Sequence, residues 1–102
     1  MKYQLVLQLH ASSVEDYDEM IELEEIIMGN LADLGCVDGH DAGAGEMNIF
    51  ILTDSPKAAF DRIRQTSTMR DVMADLKVAY REIGKDDFTV LHPEGLTRFA
   101  IA

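Results

Sequence analysis

Three histidines and several carboxylates are the side chains of this chain whose types could do chemistry. Imidazole and carboxylate groups are common ligands of zinc and other divalent ions, and they also serve as general acids and bases. None of the three histidines falls in a short pair of the kind found in zinc sites, so we assign no metal to them. They form instead a candidate polar rim, provided that the fold brings them to one edge. Its residues are His10, Asp38, His40, Asp41, Glu46 and His92.

Glu24 is a further residue of chemical interest, because helical spacing places it among apolar residues. Steps of 100° per residue put it in the middle of an apolar stripe. A carboxyl group in such an environment is the kind of group that acts as a general acid. The alternative, which we favour, is a local pair with Lys77, Arg81 or a tyrosine hydroxyl, or a small rotation of the helix towards water. The stripe consists of Tyr17, Met20, Ile21, Ile27, Met28, Leu31 and Leu34.

Five other carboxylates lie on the outward side of the same predicted helix, and we call them the acidic face. Acids near a helix N-terminus interact favourably with the helix dipole, and that effect with solubility accounts for two or three of them. Five on one surface create a negative field that attracts a basic protein partner. The residues of the acidic face are Glu15, Asp18, Glu19, Glu22 and Glu25.

The charge balance of the whole chain is strongly acidic and uneven. Its 102 residues carry a formal net charge of -10, and residues 1–55 hold twelve carboxylates against the single cation Lys2. Residues 56–102 hold seven carboxylates against eight lysines and arginines. Such a surface repels phosphate backbones and attracts basic proteins, so we expect no nucleic-acid partner. Acidic charge that only keeps the protein soluble is the alternative.

Cysteine content and hydropathy indicate the class and the compartment of the protein. The single cysteine, Cys36, excludes an intramolecular disulfide and a zinc site built from several thiolates. We therefore expect a reducing, cytoplasmic location. No apolar run approaches the roughly twenty residues of a membrane-spanning helix, so we expect no membrane partner. With 47% hydrophobic residues, the chain is typical of one soluble domain over residues 1–102.

The first half of the chain predicts a strand, a helix and a hairpin, which must position these residues. Apolar and polar residues alternate over 2–9, which is typical of a strand. A capping box beginning at Ser12 starts a helix, and we expect Gly35 to end it in the left-handed conformation. Two strands, 36–41 and 46–53, follow across a short glycine-rich turn.

The second half of the chain predicts two helices and two strands. Pro56 suits the first turn of a helix, because its missing N–H needs no partner there. A shorter helix is expected to begin at Thr68. The period returns to two over 76–81 and 88–91, which predicts two paired strands. We expect one core, formed by Tyr3, Leu5, Leu7, Leu9, Tyr17, Ile21, Ile27, Leu31, Ile49, Ile51, Phe60, Ile63 and Val78.

The order of these elements resembles the ferredoxin-like α/β plait, an α+β fold with an antiparallel sheet and helices on one face. The order is β-α-β-β-α-β with an extra C-terminal strand. The segments 38–50 and 89–93 also look like a group of small uncharacterised bacterial proteins. That resemblance implies a fold and no chemistry. In a plait the ends of the first, second and last strands lie at one rim, where we expect His10, His40 and His92.

Two functions of different kinds are compatible with the sequence. The first is a non-enzymatic binding module that engages a basic protein partner through the acidic face, as an inhibitor or an immunity-type factor would. The alternative is a small enzyme, or a ligand or metal binder, that uses the polar rim. A homodimer that buries Phe50 and Val6 against a second copy is a third alternative. We favour the binding module and expect no cofactor.

Overall fold

A computed structural model describes residues 1–10, 14–43, 45–66, 69–70 and 72–101, with the backbone alone described for residues 14–16. None of the described helices is long and apolar enough to cross a membrane. A short 3-10 helix, Ala32–Leu34, follows the first helix. In chain order the elements are β1 (Tyr3–His10), α1 (Val14–Leu31), β2 (Cys36–Gly43), β3 (Glu46–Thr53), α2 (Pro56–Arg64), β4 (Lys77–Glu82) and β5 (Thr89–His92).

The five strands form one sheet in the order β2-β3-β1-β4-β5, and every neighbouring pair is antiparallel. The prediction of an α+β fold is therefore confirmed as a five-stranded antiparallel sheet with two helices. The extra C-terminal strand is β5, which forms one edge of the sheet beside β4. With that addition the strand order differs from the order of a four-stranded plait.

The main core lies between the sheet and the two helices. Leu7 shows how the sheet contributes to it, because it pairs with Ile49 on one side and with Val78 on the other. Alternate residues of β1, β3 and β4 therefore face the helices. Burying one such side chain contributes roughly 1.5–3 kcal/mol. The helices add Met20, Leu23, Ile27, Leu31, Ala59, Phe60 and Ile63 to this core.

The buried face of α1 is rotated from the expected position. Tyr17 is 38% exposed and Met28 is 54% exposed, so the prediction that both face inward is wrong. Leu23, which we did not expect in the core, is buried. The buried residues Met20, Leu23, Ile27 and Leu31 are spaced by three and four, so they share one side of the helix. The side chains of that stripe define the inward face, and Tyr17 lies beside it.

The opposite face of the sheet is covered by the C-terminal segment. Val6 and Ala79 are fully buried there, although neither belongs to the core under the helices. The side chain of Gln8 donates a hydrogen bond to the carbonyl of Ala100 at 2.9 Å. Phe99 packs against Phe88 with their ring centroids 5.0 Å apart. Val6 is thus already buried within one chain, and the predicted homodimer stays a prediction.

The end of α1 also differs from the expectation. Gly35 is extended, with φ of 172°, and the residue with left-handed φ is Ala32, at 51°. The requirement for glycine at position 35 is one of space, because a Cβ there would lie 2.6 Å from the carbonyl oxygen of Leu52. The predicted helix starts at Ser12 and Thr68 lie outside the described residues. Of the predicted short helix, Met69 is buried in the core.

Candidate functional site

A bulge in β2 decides where the side chain of His40 lies. The pairing of β2 with β3 shifts by one residue between Val37 and Gly39, so that His40 pairs with Ile49. Ile49 belongs to the helix side of the sheet. Without the bulge, the register of Val37 would continue and would pair His40 with Asn48 on the other face. The bulge therefore turns the imidazole towards α1.

His40 is held between two side chains of α1. Its Nδ1 lies 2.8 Å from Oε2 of Glu24, and its Nε2 lies 3.1 Å from the hydroxyl of Tyr17. Tyr17 and Glu24 are seven residues apart, which places them on one side of the helix and roughly 10 Å apart along it. The imidazole occupies the space between them. The side chain of His40 is 27% exposed, and that of Glu24 is 13% exposed.

The two hydrogen bonds of His40 indicate which of its ring nitrogens carries the proton. A carboxylate only accepts hydrogen bonds, so the proton is assigned to Nδ1 of His40, which donates a hydrogen bond to Glu24. In the neutral ring, Nε2 then accepts a hydrogen bond from the hydroxyl of Tyr17. The phenolic oxygen can also accept a hydrogen bond. Glu24 thus pairs with His40, which differs from the expected pair with Lys77, Arg81 or a tyrosine hydroxyl.

His10 lies at a different place, beside a shallow polar pocket on the face opposite the helices. It pairs with Glu46 across β1 and β3. The pocket has a volume of about 60 Å³ and is lined by Gln8, Leu9, His10, Glu46, Asp75 and Lys77. One carboxylate oxygen of Glu46, Oε2, is buried and has no hydrogen-bond partner among the described residues. A buried acceptor without a partner is uncommon, and ordered water molecules commonly satisfy such atoms.

His92 is held by the loop after α2. Its Nε2 donates to the carbonyl oxygen of Met73 at 3.0 Å. Its ring lies against Phe60 of α2, with the ring centroids 6.0 Å apart. Both contacts connect β5 to the helix layer, so His92 has a structural role in the described part of the chain.

The structure does not bring the three histidines of the polar rim together. His40 and His92 lie in one row of the sheet, because both are linked to Leu7 through paired residues, but they lie on opposite edge strands. Four strand spacings separate them by about 19 Å. His10 lies on the other face. Among the described residues, no group of three or more His, Cys, Asp or Glu side chains could hold a metal ion.

The two aspartates of the polar rim also lie in separate environments. Asp38 is exposed at the bulge of β2. Asp41 accepts a hydrogen bond from the side chain of Asn48 at 2.9 Å, and Asn48 in turn accepts one from Gln8 at 3.1 Å. Gln8 and Asn48 are buried, so this network joins three strands under the C-terminal segment. Asp41 therefore provides a hydrogen-bond acceptor for the buried side-chain amide of Asn48.

The acidic face is exposed over the part that the structure describes. Asp18, Glu19, Glu22 and Glu25 are all exposed, while the side chain of Glu15 lies outside the described residues. No ion pair within the described part of the chain involves any of these four carboxylates. Helix α1 contains no lysine or arginine. The negative charge of the helix is therefore not neutralised by described side chains of the chain itself.

In comparisons with known proteins, no family model, no curated protein and no solved structure matches this chain. The resemblance to small bacterial proteins therefore stays a prediction. The residues that sequence reasoning missed are Tyr17 as a partner of His40 and the pair Asp75 and Lys77 beside His10. The spacing of seven between Tyr17 and Glu24 was the available signal for the first. Nothing in the sequence pointed to the second.

Proposed function

We propose that this chain is a non-enzymatic binding module that docks a basic protein partner through the acidic face of α1. The observation that carries this proposal is the exposure of Asp18, Glu19, Glu22 and Glu25 without an ion pair among the described residues. Four carboxylates on less than three turns of helix repel one another, and a cationic surface relieves that repulsion. A protein with this action fits the role of an inhibitor or an immunity-type factor.

The charge of the whole chain supports the same proposal. The formal net charge is -10, and the excess lies in the first half, which contains α1 and β2. A field of this kind steers an oppositely charged partner and raises its association rate more than it lengthens the life of the complex. We place the module in a reducing cytoplasm, as a ferredoxin-like plait extended by β5.

The test of this proposal is a comparison of two double charge reversals. The variant Glu19→Lys/Glu22→Lys changes the acidic face, and Asp86→Lys/Asp87→Lys makes the same change of net charge at an exposed turn elsewhere. With a basic partner captured by the wild-type protein, we expect the first variant to associate at least about tenfold more slowly at low salt. Equal association rates for both variants would show that net charge alone matters and would contradict docking at α1.

A second candidate function, binding of a small ligand, is favoured by the pocket beside His10. The carboxylate of Glu46 attracts an ammonium group, and Lys77 on the same pocket attracts a carboxylate. Glycine is a small zwitterion that carries both of these groups. Titration of labelled protein with glycine, followed by NMR, should shift the amides of Gln8 and Glu46. Methylammonium and acetate, which each carry one of the two charges, should bind more weakly, and absence of any shift with glycine rules this candidate out.

A further inference from the structure

We infer that the partner segment adds as an extended strand to the open edge of β2, beside the flank of α1 that carries Tyr17 and Met28. The segment alternates basic with apolar residues. This inference rests on the proposed function and specifies the chemistry of its partner. We call this surface the β2–α1 edge, defined by the backbone of residues 39–43 and by the side chains of Tyr17, Ile21 and Met28.

The backbone of β2 is available for pairing. β2 is the last strand of the sheet on its side, and within the described part of the chain it pairs only with β3. Beyond the bulge, residues 39–43 pair without interruption, so their outer N–H and C=O groups form a regular row. Asp41, Ala42 and Gly43 are exposed. An extended peptide gains main-chain hydrogen bonds on such an edge.

The flank of α1 next to β2 supplies apolar contacts. Tyr17, Ile21 and Met28 fall within about 40° of one another at 100° per residue. Tyr17 and Met28 are exposed, and Ile21 is half-buried against the core. The hydrogen bond between Tyr17 and His40 shows that this flank faces β2. Apolar side chains of an added strand that point to the helix side would therefore contact this strip.

Charge identifies the chemistry of the occupant. Asp18, Glu22 and Glu25 lie about 80–140° round the helix from Tyr17, directly beside the apolar strip. Asp38 and Asp41 add two exposed carboxylates on the strand itself. The basic side chains of the added segment point to the face opposite the helices, where Asp41 lies, and the carboxylates of α1 attract them through their field rather than through contact.

The same charges disfavour a second copy of this chain as the occupant. Two β2 edges that paired with each other would bring the exposed carboxylates of Asp38 and Asp41 from both copies close together. Like charges that lie directly opposite on paired strands are destabilising. Charged residues and a bulge are also the features that keep edge strands from self-association. Pairing of β2 with a second copy of β2 is thus unfavourable, whereas pairing with a positively charged segment is favourable.

The first experiment separates strand addition from charge attraction. The probe is an end-capped (Arg-Val)4 peptide, tested with two isomers that are N-methylated either on every arginine or on every valine. In an extended strand, alternate N–H groups point to one edge, so only one isomer loses the donors that pair with β2. We expect that isomer to bind at least about tenfold more weakly, and the other to bind like the parent peptide.

The outcomes of that experiment are distinct. The amides of residues 39–43 should gain protection from hydrogen exchange with the parent peptide. Equal affinity of the two isomers would overturn strand addition while leaving docking on the acidic face intact. No binding of the parent peptide at low salt would also overturn it, whereas failure of the proposed function shows separately, in equal association rates of the two double reversals.

A matched pair of protein variants tests the location of the edge. Glu25→Lys changes a carboxylate beside the apolar strip, whereas Glu19→Lys changes one that lies about 200° round the helix from Tyr17. Both residues are exposed on the same helix, and both substitutions change the net charge equally. We expect Glu25→Lys to weaken binding of the (Arg-Val)4 peptide several-fold more than Glu19→Lys does. Equal losses would place the peptide elsewhere and overturn the assignment to this edge.

Discussion

His40 joins α1 to the edge strand β2 through both nitrogens of its ring. Its partners are the carboxylate of Glu24 and the hydroxyl of Tyr17. Glu24 is only 13% exposed, so without the imidazole its carboxylate would lose its hydrogen-bond partner in a place with little access to water. Leaving a buried charge without a partner costs more than a paired group contributes. His40 therefore contributes to stability chiefly by providing a hydrogen-bond partner for Glu24.

We predict that His40→Ala lowers the free energy of unfolding by about 1–3 kcal/mol. The matched control is His10→Ala, which removes an exposed imidazole and should stay within about 0.5 kcal/mol of the wild type. Urea denaturation of the three proteins measures both values. Adding Glu24→Ala to His40→Ala should recover part of the loss, because no unpartnered carboxylate then remains. Equal stability of His40→Ala and His10→Ala would contradict a pairing role for His40.

At the scale of elements, one glycine within α1 and one between α1 and β2 differ in the space available for a side chain. Gly35 lies where the chain enters β2, and its Cα approaches the backbone of Leu52 so closely that a Cβ would lie 2.6 Å from the carbonyl oxygen. Gly29 lies within α1 and is exposed, and a Cβ added there would meet nothing within 4 Å. One position therefore has no room for a side chain, and the other has only the poor helix propensity of glycine.

Alanine substitutions at these two glycines should change stability in opposite directions. Gly35→Ala forces β3 or the entry to β2 to shift, and we expect a loss of about 1–3 kcal/mol. Gly29→Ala removes a helix-disfavouring residue and should add about 0.5–1 kcal/mol. Thermal unfolding followed by circular dichroism measures both. A gain for Gly35→Ala would show that the connection between α1 and β2 is looser than the structure describes.

The elements were more predictable from the sequence than the side-chain geometry. Strand β3 was expected over 46–53 and has those bounds, because an apolar run between turn residues has few alternatives. The direction of His40 was not predictable, since it depends on a bulge whose position depends on pairing with β3. Tyr17 was expected in the core because apolar character alone does not define the centre of a buried stripe. Its partner His40 is 23 residues away in sequence.

At the scale of the whole molecule, charge is distributed along the order of the strands. The acidic first half supplies β2, β3, β1 and α1, whereas the near-neutral second half supplies α2, β4 and β5. Since β2 and β5 form opposite edges of the sheet, the acidic elements lie towards the edge formed by β2. A partner that approaches through this field is oriented towards β2 before contact. The fold thus places the acidic first half of the chain on one side of the molecule and the near-neutral second half on the other.

The final prediction concerns repulsion within this acidic half. With a net charge of -10, the folded chain brings like charges together, and salt screens them over a Debye length of about 8 Å at physiological ionic strength. We therefore expect the wild-type melting temperature to rise between about 0.02 M and about 0.5 M sodium chloride. Glu19→Lys/Glu22→Lys should melt about 1–4 °C higher than the wild type at low salt and show a smaller salt dependence, because it removes repulsion on α1. The neutral variant Glu19→Gln/Glu22→Gln should lie between them. A double reversal that melts lower than the wild type at low salt would mean that these carboxylates stabilise the fold, and their exposure could then not be attributed to binding alone.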